Sequence, residues 1–316
     1  MSVSRVGIVG SGIMASGIAE LVSKAGCEVV VVSRSQSSGE VCRTKIEKSL
    51  ARQVSKGKLS ETDSGAVLSR ITTATELSSL ELCELVIESV VEDLEIKKRL
   101  FHDLGAVCRE STILATNTST LPVIELAVCV ARADRVVGMH FFNPAPVMSL
   151  VEIIPALTTS EETMQAAWDF AVACGKEPVK VKDQTGFIVN ALLFPYLNAA
   201  VTMLEHGVAS KEDIDAAMRG GCGFPLGPFE LLDLVGLDTS LAILERLYDE
   251  RRDPASVPSP LLRRMVTARQ LGRKTGGGFY AYPAAPGAPA AAKGHPAAQG
   301  VPAEGQAANS SSGKTS

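Results

Sequence analysis

Through the first half of the chain the apolar residues come in short runs, and beyond it they recur at helical spacing over long stretches. Val6–Val9, Glu28–Val32, Leu85–Glu88 and Thr112–Ala115 read as strands. Helical patterns separate them at Met14–Lys24, in a charged stretch over Gly39–Lys56, near Glu61–Ser69 and over Leu94–Val107, with a short strand at Ile71–Thr73. A short helix after Pro122, strands near Arg135–Met139 and Leu150–Ile154, helix Glu161–Cys174 and strand Pro178–Val181 continue the alternation. This pattern predicts an α/β fold built on a doubly wound, mostly parallel sheet with right-handed crossovers. From Phe187 the pattern changes to FIVNALLFPYLNAAVTMLEHG, a long apolar helix with a kink expected at Pro195. Ser210 is the expected cap of the next helix, with Asp213 in the acidic capping-box position. Further helices are expected over Pro228–Asp249 and Pro260–Leu271. The division implied is residues 1–184 for the sheet domain, 185–282 for an all-helical domain whose apolar faces suit a dimer interface, and 283–316 for a tail.

The tail changes the material. It is made almost wholly of Ala, Pro, Gly, Ser and Gln, cannot bury enough surface to offset its chain entropy, and is expected to be disordered, with His295 a lone residue in it. The other 282 residues can bury a large core, since the whole 316-residue chain is 46% hydrophobic. A net charge of −4 offers no polybasic field for nucleic acid or an anionic membrane. No apolar run has the length of a membrane span, and residues 1–4 lead into a strand without room for a signal peptide. Seven cysteines are scattered without C-x-x-C pairs, which reads as reduced thiols with no metal site, in a soluble cytoplasmic protein.

Candidate chemistry begins at VGIVGSGIMASGIA, where a strand runs through a glycine turn into a helix. Gly10, Gly12 and Ala15 form a G-x-G-x-x-A fingerprint: the first glycine permits the tight turn, the second lets backbone approach a pyrophosphate, and the alanine lets helix and strand pack closely. Helix N–H groups then point at the phosphates, so Gly10, Gly12, Ile13 and Met14 are candidate cofactor-binding residues. Asn117–Thr120 follows a strand at the end of a parallel sheet where ligands bind, although a capped turn would use the same residues. In MHFFNPAPVMSLVEII, His140 ends one strand and Glu152 lies on the next, with a Pro-rich turn folding the chain back between them. A carboxylate accepting the ring N–H would leave the other ring nitrogen as a general acid or base, and a glutamate in an apolar strand needs a partner. Asn190, one turn inside a helix at the domain junction, either donates to a substrate oxygen or ties the domains together. GFPLGPFELLDLVGLD and GRKTGGGFY read as structural, with turn glycines, helix starts and aromatic packing.

Taken together, HFFNPAPVM-x-LVE, GFIVN, GFPLGPFELLD-x-VGLD and GRKTGGGFY resemble the 3-hydroxyacyl-CoA dehydrogenase family, in particular its bacterial 3-hydroxybutyryl-CoA type, from about residue 5 to residue 282. The resemblance implies a Rossmann-type N-terminal domain and a helical C-terminal domain that dimerises. It implies His140 as the catalytic acid/base, Glu152 as the carboxylate that orients it, and Ser119 and Asn190 as donors to the reacting oxygen. Glu92, Lys97 and Asn117 match positions near the nicotinamide ribose, although residues 92–99 by themselves read as an ordinary charged helix start. The implied reaction is hydride exchange between a nicotinamide cofactor and C3 of a short 3-hydroxyacyl- or 3-oxoacyl-CoA.

The chain departs from that pattern in places. NAD-using members usually end the second strand with aspartate, whereas here Ser33 and Arg34 stand at that point, a pair that can hold a ribose 2′-phosphate. NADP(H) is therefore expected over NAD(H), with a solvated Arg34 as the plain alternative. Thr185 and Ala191 replace the usual proline and arginine, which leaves an acyl-carrier-protein thioester of polyketide extender-unit synthesis as an alternative substrate. Lys45, Lys48, Arg52, Lys56 and Lys58 either face coenzyme A phosphates or form a solvated helix face. A sugar-acid dehydrogenase is disfavoured by FFNPAPVM, and a silent dinucleotide sensor by the intact set Ser119, His140, Glu152 and Asn190.

Overall fold

The computed structural model describes residues 3–283, so the expectation of disorder over 283–316 falls, beyond its first residue, outside the described residues, as does His295. Eight strands, β1 (Arg5–Val9), β2 (Glu28–Val32), β3 (Ile71–Ala74), β4 (Leu85–Glu88), β5 (Ile113–Thr116), β6 (Val136–Phe141), β7 (Leu150–Pro155) and β8 (Glu177–Lys180), form one sheet in the order β3-β2-β1-β4-β5-β6-β7-β8. All neighbours run parallel except β6 and β7, which the Pro-rich turn makes antiparallel, with His140 directly opposite Glu152. Helices α1 (Ile13–Lys24), α2 (Gln36–Ser55), α3 (Glu61–Ser69), α4 (Leu94–Val107), α5 (Val123–Ala127) and α6 (Glu161–Ala173) cover the sheet.

Strand alternation supplies a core on each face. Val29 and Val31 pack with Ile18, Ile46 and Phe170 on one side, while Val30 and Val32 pack with Phe101 and Leu126 on the other. The strand order reverses between β1 and β4, and in open sheets of this kind ligands bind in the crevice at the carboxyl ends beside that reversal. The architecture is Rossmann-like, as the alternation of short apolar runs requires.

From Val189 to Thr267 the chain is mostly helical. α7 (Val189–Glu205) runs through Pro195 and packs Phe194, Leu197 and Val201 against α9 (Pro228–Val235), α10 (Leu237–Arg251) and α11 (Pro260–Thr267), with α8 (Lys211–Cys222) alongside. Three expectations are corrected here. The single helix over Pro228–Asp249 is two, because Gly236 takes φ 104°, outside the helical region, and breaks the N–H ladder. The last helix stops at Thr267 rather than Leu271, where Arg269 turns left-handed at φ 60°. Ser210 does cap α8, accepting from the Asp213 N–H at 3.1 Å, but the Asp213 carboxylate accepts from the Ser210 hydroxyl at 2.6 Å. The two glycine-rich segments are joined through buried carboxylates: Asp233 accepts from the N–H groups of Phe279 and Tyr280, and Asp215 of α8 accepts from the N–H groups of Phe229 and Glu230 and from the Tyr280 hydroxyl.

Candidate active site

The crevice starts where β1 turns into α1. Gly10 has φ 128°, and a Cβ there would stand 2.3 Å from the Ser89 carbonyl oxygen, so the β1 turn presses against the end of β4 as only glycine allows. Gly12 differs: a Cβ on it would meet no protein atom within 4 Å, and its space is open. No side chain caps α1 at Gly12. The other helices beside the sheet have their first N–H groups met, α2, α3, α4 and α6 by Ser35, Ser60, Asp93 and Ser160 and α5 by Asp183. An uncapped helix N-terminus above an open glycine fits an anionic group such as a pyrophosphate. Ile13 there is largely exposed and Met14 is half-buried.

At the end of β2, Ser33 is buried and its hydroxyl donates to the Ser35 carbonyl at 2.9 Å. Arg34 is exposed, and the hydroxyls of Ser35, Ser37 and Ser38 cluster beside it at the start of α2. This turn carries no carboxylate before Glu40. Between α1, α2 and residues 143–146 lies a cavity of about 280 Å³, with Ile13, Glu20, Lys45 and Ser49 among its walls. Lys48, Arg52, Lys56 and Lys58 are exposed along and after α2.

The antiparallel pairing of β6 and β7 brings His140 Nδ1 to 2.7 Å from Glu152 Oε2, with both side chains buried. Glu152 is fully buried, and its other oxygen accepts from the Ile188 and Val189 N–H groups at 2.9 and 3.0 Å. The carboxylate therefore joins the sheet to the N-terminus of α7, whose dipole favours its negative charge. An ionised carboxylate only accepts, so the shared proton sits on Nδ1 and Nε2 is the free nitrogen of the neutral ring. Phe142 and Phe187 flank the imidazole at 4.5 and 5.7 Å between ring centres. Asn190, buried in the first turn of α7, donates to the Ser119 carbonyl at 3.4 Å, which brings the NTST turn to the same junction.

Ser119 is also held from the other side. Glu92 Oε1 accepts from the Thr118 hydroxyl at 2.6 Å, the Ser119 N–H at 2.8 Å and the Thr120 N–H at 3.2 Å. Burial alone would push the Glu92 carboxyl up, but the Lys97 ammonium at 2.9 Å and these donors hold it below the usual range. Lys97 is almost wholly buried and bridges Glu92 to Glu88 at 3.0 Å; burial disfavours its charge, yet the two carboxylates raise it above the ordinary lysine range. The "ordinary charged helix start" is thus a buried ion cluster. Asn117 accepts from the Phe141 N–H at 2.8 Å and donates to the Ser89 hydroxyl at 3.3 Å, which fixes the ends of β4, β5 and β6 together.

Two contributors were not visible in the sequence pattern. Glu88 ends an apolar strand with nothing to show its ammonium partner nine residues on. Lys176 is buried with no carboxylate partner among the described residues, and its ammonium donates to the Ala145 and Met148 carbonyls at 2.7 Å each, pinning the loop that joins the His140 and Glu152 strands. Burial pushes its pKa below the usual lysine value. Among the described residues no group of three or more His, Cys, Asp or Glu is placed to hold a metal, and no helix is long and apolar enough to cross a membrane.

Comparison with known proteins gives two family models that together span these residues. Residues 5–184 match the model described as 3-hydroxyacyl-CoA dehydrogenase, NAD binding domain, and residues 186–282 match its C-terminal domain. A 3-hydroxybutyryl-CoA dehydrogenase of Clostridioides difficile is 44% identical over 278 residues, covering 88% of this chain and 99% of that protein. Human mitochondrial hydroxyacyl-coenzyme A dehydrogenase is 44% identical over 288 residues, 89% of this chain and 91% of its own. Among solved structures, FadB2 of M. tuberculosis superposes with a TM-score of 0.88 at 44% identity, covering 90% of this chain and all of that one. An (S)-3-hydroxybutyryl-CoA dehydrogenase from Ralstonia eutropha gives a TM-score of 0.86 at 42% identity, with 89% of this chain and all of that one covered.

Proposed function

Because the chain belongs to the 3-hydroxyacyl-CoA dehydrogenase family, we propose that it interconverts a short 3-hydroxyacyl-CoA and its 3-oxoacyl-CoA, such as 3-hydroxybutyryl-CoA and acetoacetyl-CoA. The observation that carries this reading is the buried His140–Glu152 pair, opened toward the junction of the sheet with α7. The bound nicotinamide cofactor supplies the hydride exchange at C3.

His140 exchanges the proton of the C3 oxygen through Nε2, as a neutral base in oxidation and as an imidazolium in reduction. Glu152 fixes the tautomer and stabilises the imidazolium, and the α7 N-terminus holds Glu152 in place through the Ile188 and Val189 N–H groups. Ser119 and Asn190, already in contact, hold the same oxygen from the far side. Gly10, Gly12, Ile13 and Met14 would cradle the pyrophosphate, with Glu92, Lys97 and Asn117 around the nicotinamide ribose. Residues 1–184 form the cofactor-binding unit on this reading and 185–282 the substrate and dimerisation unit.

NADP(H) is the preferred cofactor in this account, which makes reduction of the 3-oxoacyl thioester the physiological direction. The support is the carboxylate-free turn Ser33–Ser38, where an exposed guanidinium and several hydroxyls stand at the end of β2. A homodimer through the helical unit is supported by an exposed apolar stripe on α7, Leu192 and Met203 with Ile188 just before it and Phe224 nearby, and by a buried Tyr196 hydroxyl that has no partner within the described residues. The enzyme acts in the cytoplasm on this reading. A carrier-protein substrate has no support from the 3-hydroxybutyryl-CoA and hydroxyacyl-coenzyme A dehydrogenases described above, which are named for coenzyme A thioesters.

A rate assay with acetoacetyl-CoA and each reduced cofactor tests the reading. Turnover with a higher kcat/KM for NADPH supports it in full, a clear preference for NADH removes the NADP assignment alone, and no turnover with either removes the function.

A further inference from the structure

The cluster Glu88–Lys97–Glu92 lies at the carboxyl end of β4, beside the β1 turn whose Gly10 touches Ser89. Glu88 is fully buried, and its partners all donate to it: the Lys97 ammonium at 3.0 Å, the Thr116 hydroxyl at 2.7 Å and the Val90 N–H at 2.7 Å. Lys97 is the one cation paired with either carboxylate among the described residues, so two carboxylates against one ammonium leave one net negative charge. A charge held in the interior is screened far less by water and salt than one on the surface. Lys97 needs only one of the two carboxylates for neutrality, and Glu92 already meets it at 2.9 Å, so the second buried carboxylate calls for a reason of its own.

We propose that Glu88 is a specificity-determining residue that shifts the ratio of cofactor affinities toward the oxidised form by adding one uncompensated negative charge to the cluster around the nicotinamide ribose. The inference rests on the cofactor placement proposed above. An oxidised nicotinamide ring carries a positive charge and a reduced one is neutral, while the phosphates and riboses are common to both. A fixed negative charge beside the ring therefore acts on the ratio of the two affinities, and a defect in folding or in the phosphate cradle acts on both alike. Lys97 and Glu92 keep their charges through the neutral range, since the two carboxylates raise the Lys97 pKa above its ordinary value and the Lys97 ammonium and hydrogen-bond donors hold that of Glu92 below its own.

The experiment measures Kd for the oxidised and the reduced cofactor, by calorimetric titration without substrate, on the native enzyme and three variants. Glu88→Gln raises the oxidised-to-reduced Kd ratio about tenfold, equivalent to ~1.4 kcal/mol. Glu92→Gln removes the same charge from the partly exposed end of the cluster and shifts the ratio in the same direction, which keeps the test valid if Gln is not tolerated at the buried position. The double variant Glu88→Gln with Lys97→Met restores one net negative charge and returns the ratio to within about threefold of native. A ratio unmoved in both single variants, or a double variant no closer to native than Glu88→Gln, overturns the proposal. A native protein that binds neither cofactor form overturns it together with the proposed function.

Discussion

Two helices present their N-termini to the crevice, α1 and α7, and the molecule treats them in opposite ways. At α1 the chain offers a glycine with open space above it and no capping side chain. At α7 the buried Glu152 carboxylate accepts from two N–H groups while its second oxygen holds His140. The physics is shared, since each terminus carries unpaired donors and a positive dipole end. Where the protein supplies the anion, the helix becomes a clamp that fixes the proposed catalytic pair. Where it withholds one, the helix is left open for the anion that the proposed cofactor would bring.

Replacing the clamp gives the largest effect. Glu152→Gln keeps a polar group at α7 but can donate to Nδ1, which favours the wrong ring tautomer, so kcat is expected to fall about 10³-fold with cofactor Kd within about threefold of native. Steady-state kinetics with parallel cofactor titration checks this, and equal losses in both would dissolve the distinction between the two termini. The converse change fills the receptor. Gly12 has φ −72°, a conformation open to any residue, and Gly12→Asp would cap α1. Cofactor Kd is expected to rise about 100-fold while the helix gains about 0.3 kcal/mol, leaving Tm at or up to about 1 °C above the native value. Weaker binding with a lowered Tm would mean that the substitution merely damages the fold.

A smaller effect separates the ion cluster from both termini. The folded-state pKa of Glu92 lies below its ordinary value of 4.5, so its ionised form contributes stability above pH 4.5 that is lost as pH falls through the folded value. Glu92→Gln should therefore lower Tm by a few degrees near pH 7, and the gap from native should close toward pH 3. Thermal scans of both proteins across that range decide it, and a gap that widens in acid contradicts the charge assignment.

Much of this was legible in the chain, for identifiable reasons. The strand–glycine–helix fingerprint is local, and the short apolar runs mark buried strands without any knowledge of their neighbours. His140 and Glu152 meet because a Pro-rich turn between two apolar strands folds the chain back, a relation between residues only twelve positions apart. The second hold on Glu152 was not legible, since Ile188 and Val189 lie 36 and 37 residues away and are delivered by the packing of α7 against the sheet. The Glu92 grip on the Ser119 turn was hidden for the same reason, being 27 residues long in sequence and created by the pairing of β4 with β5. The break at Gly236 was missed because a single glycine within an apolar helical pattern is compatible with both a continuous helix and a stop, and only its φ distinguishes them.

The central claim is that the imidazole of His140, held by Glu152, carries the proton exchanged with the substrate oxygen. Its most direct test is acetoacetyl-CoA-dependent oxidation of reduced cofactor by native enzyme and by His140→Gln, with cofactor affinity measured on the same samples. The account requires a loss of at least about 10³-fold in kcat with nearly unchanged cofactor Kd; a variant that turns over at the native rate would contradict it.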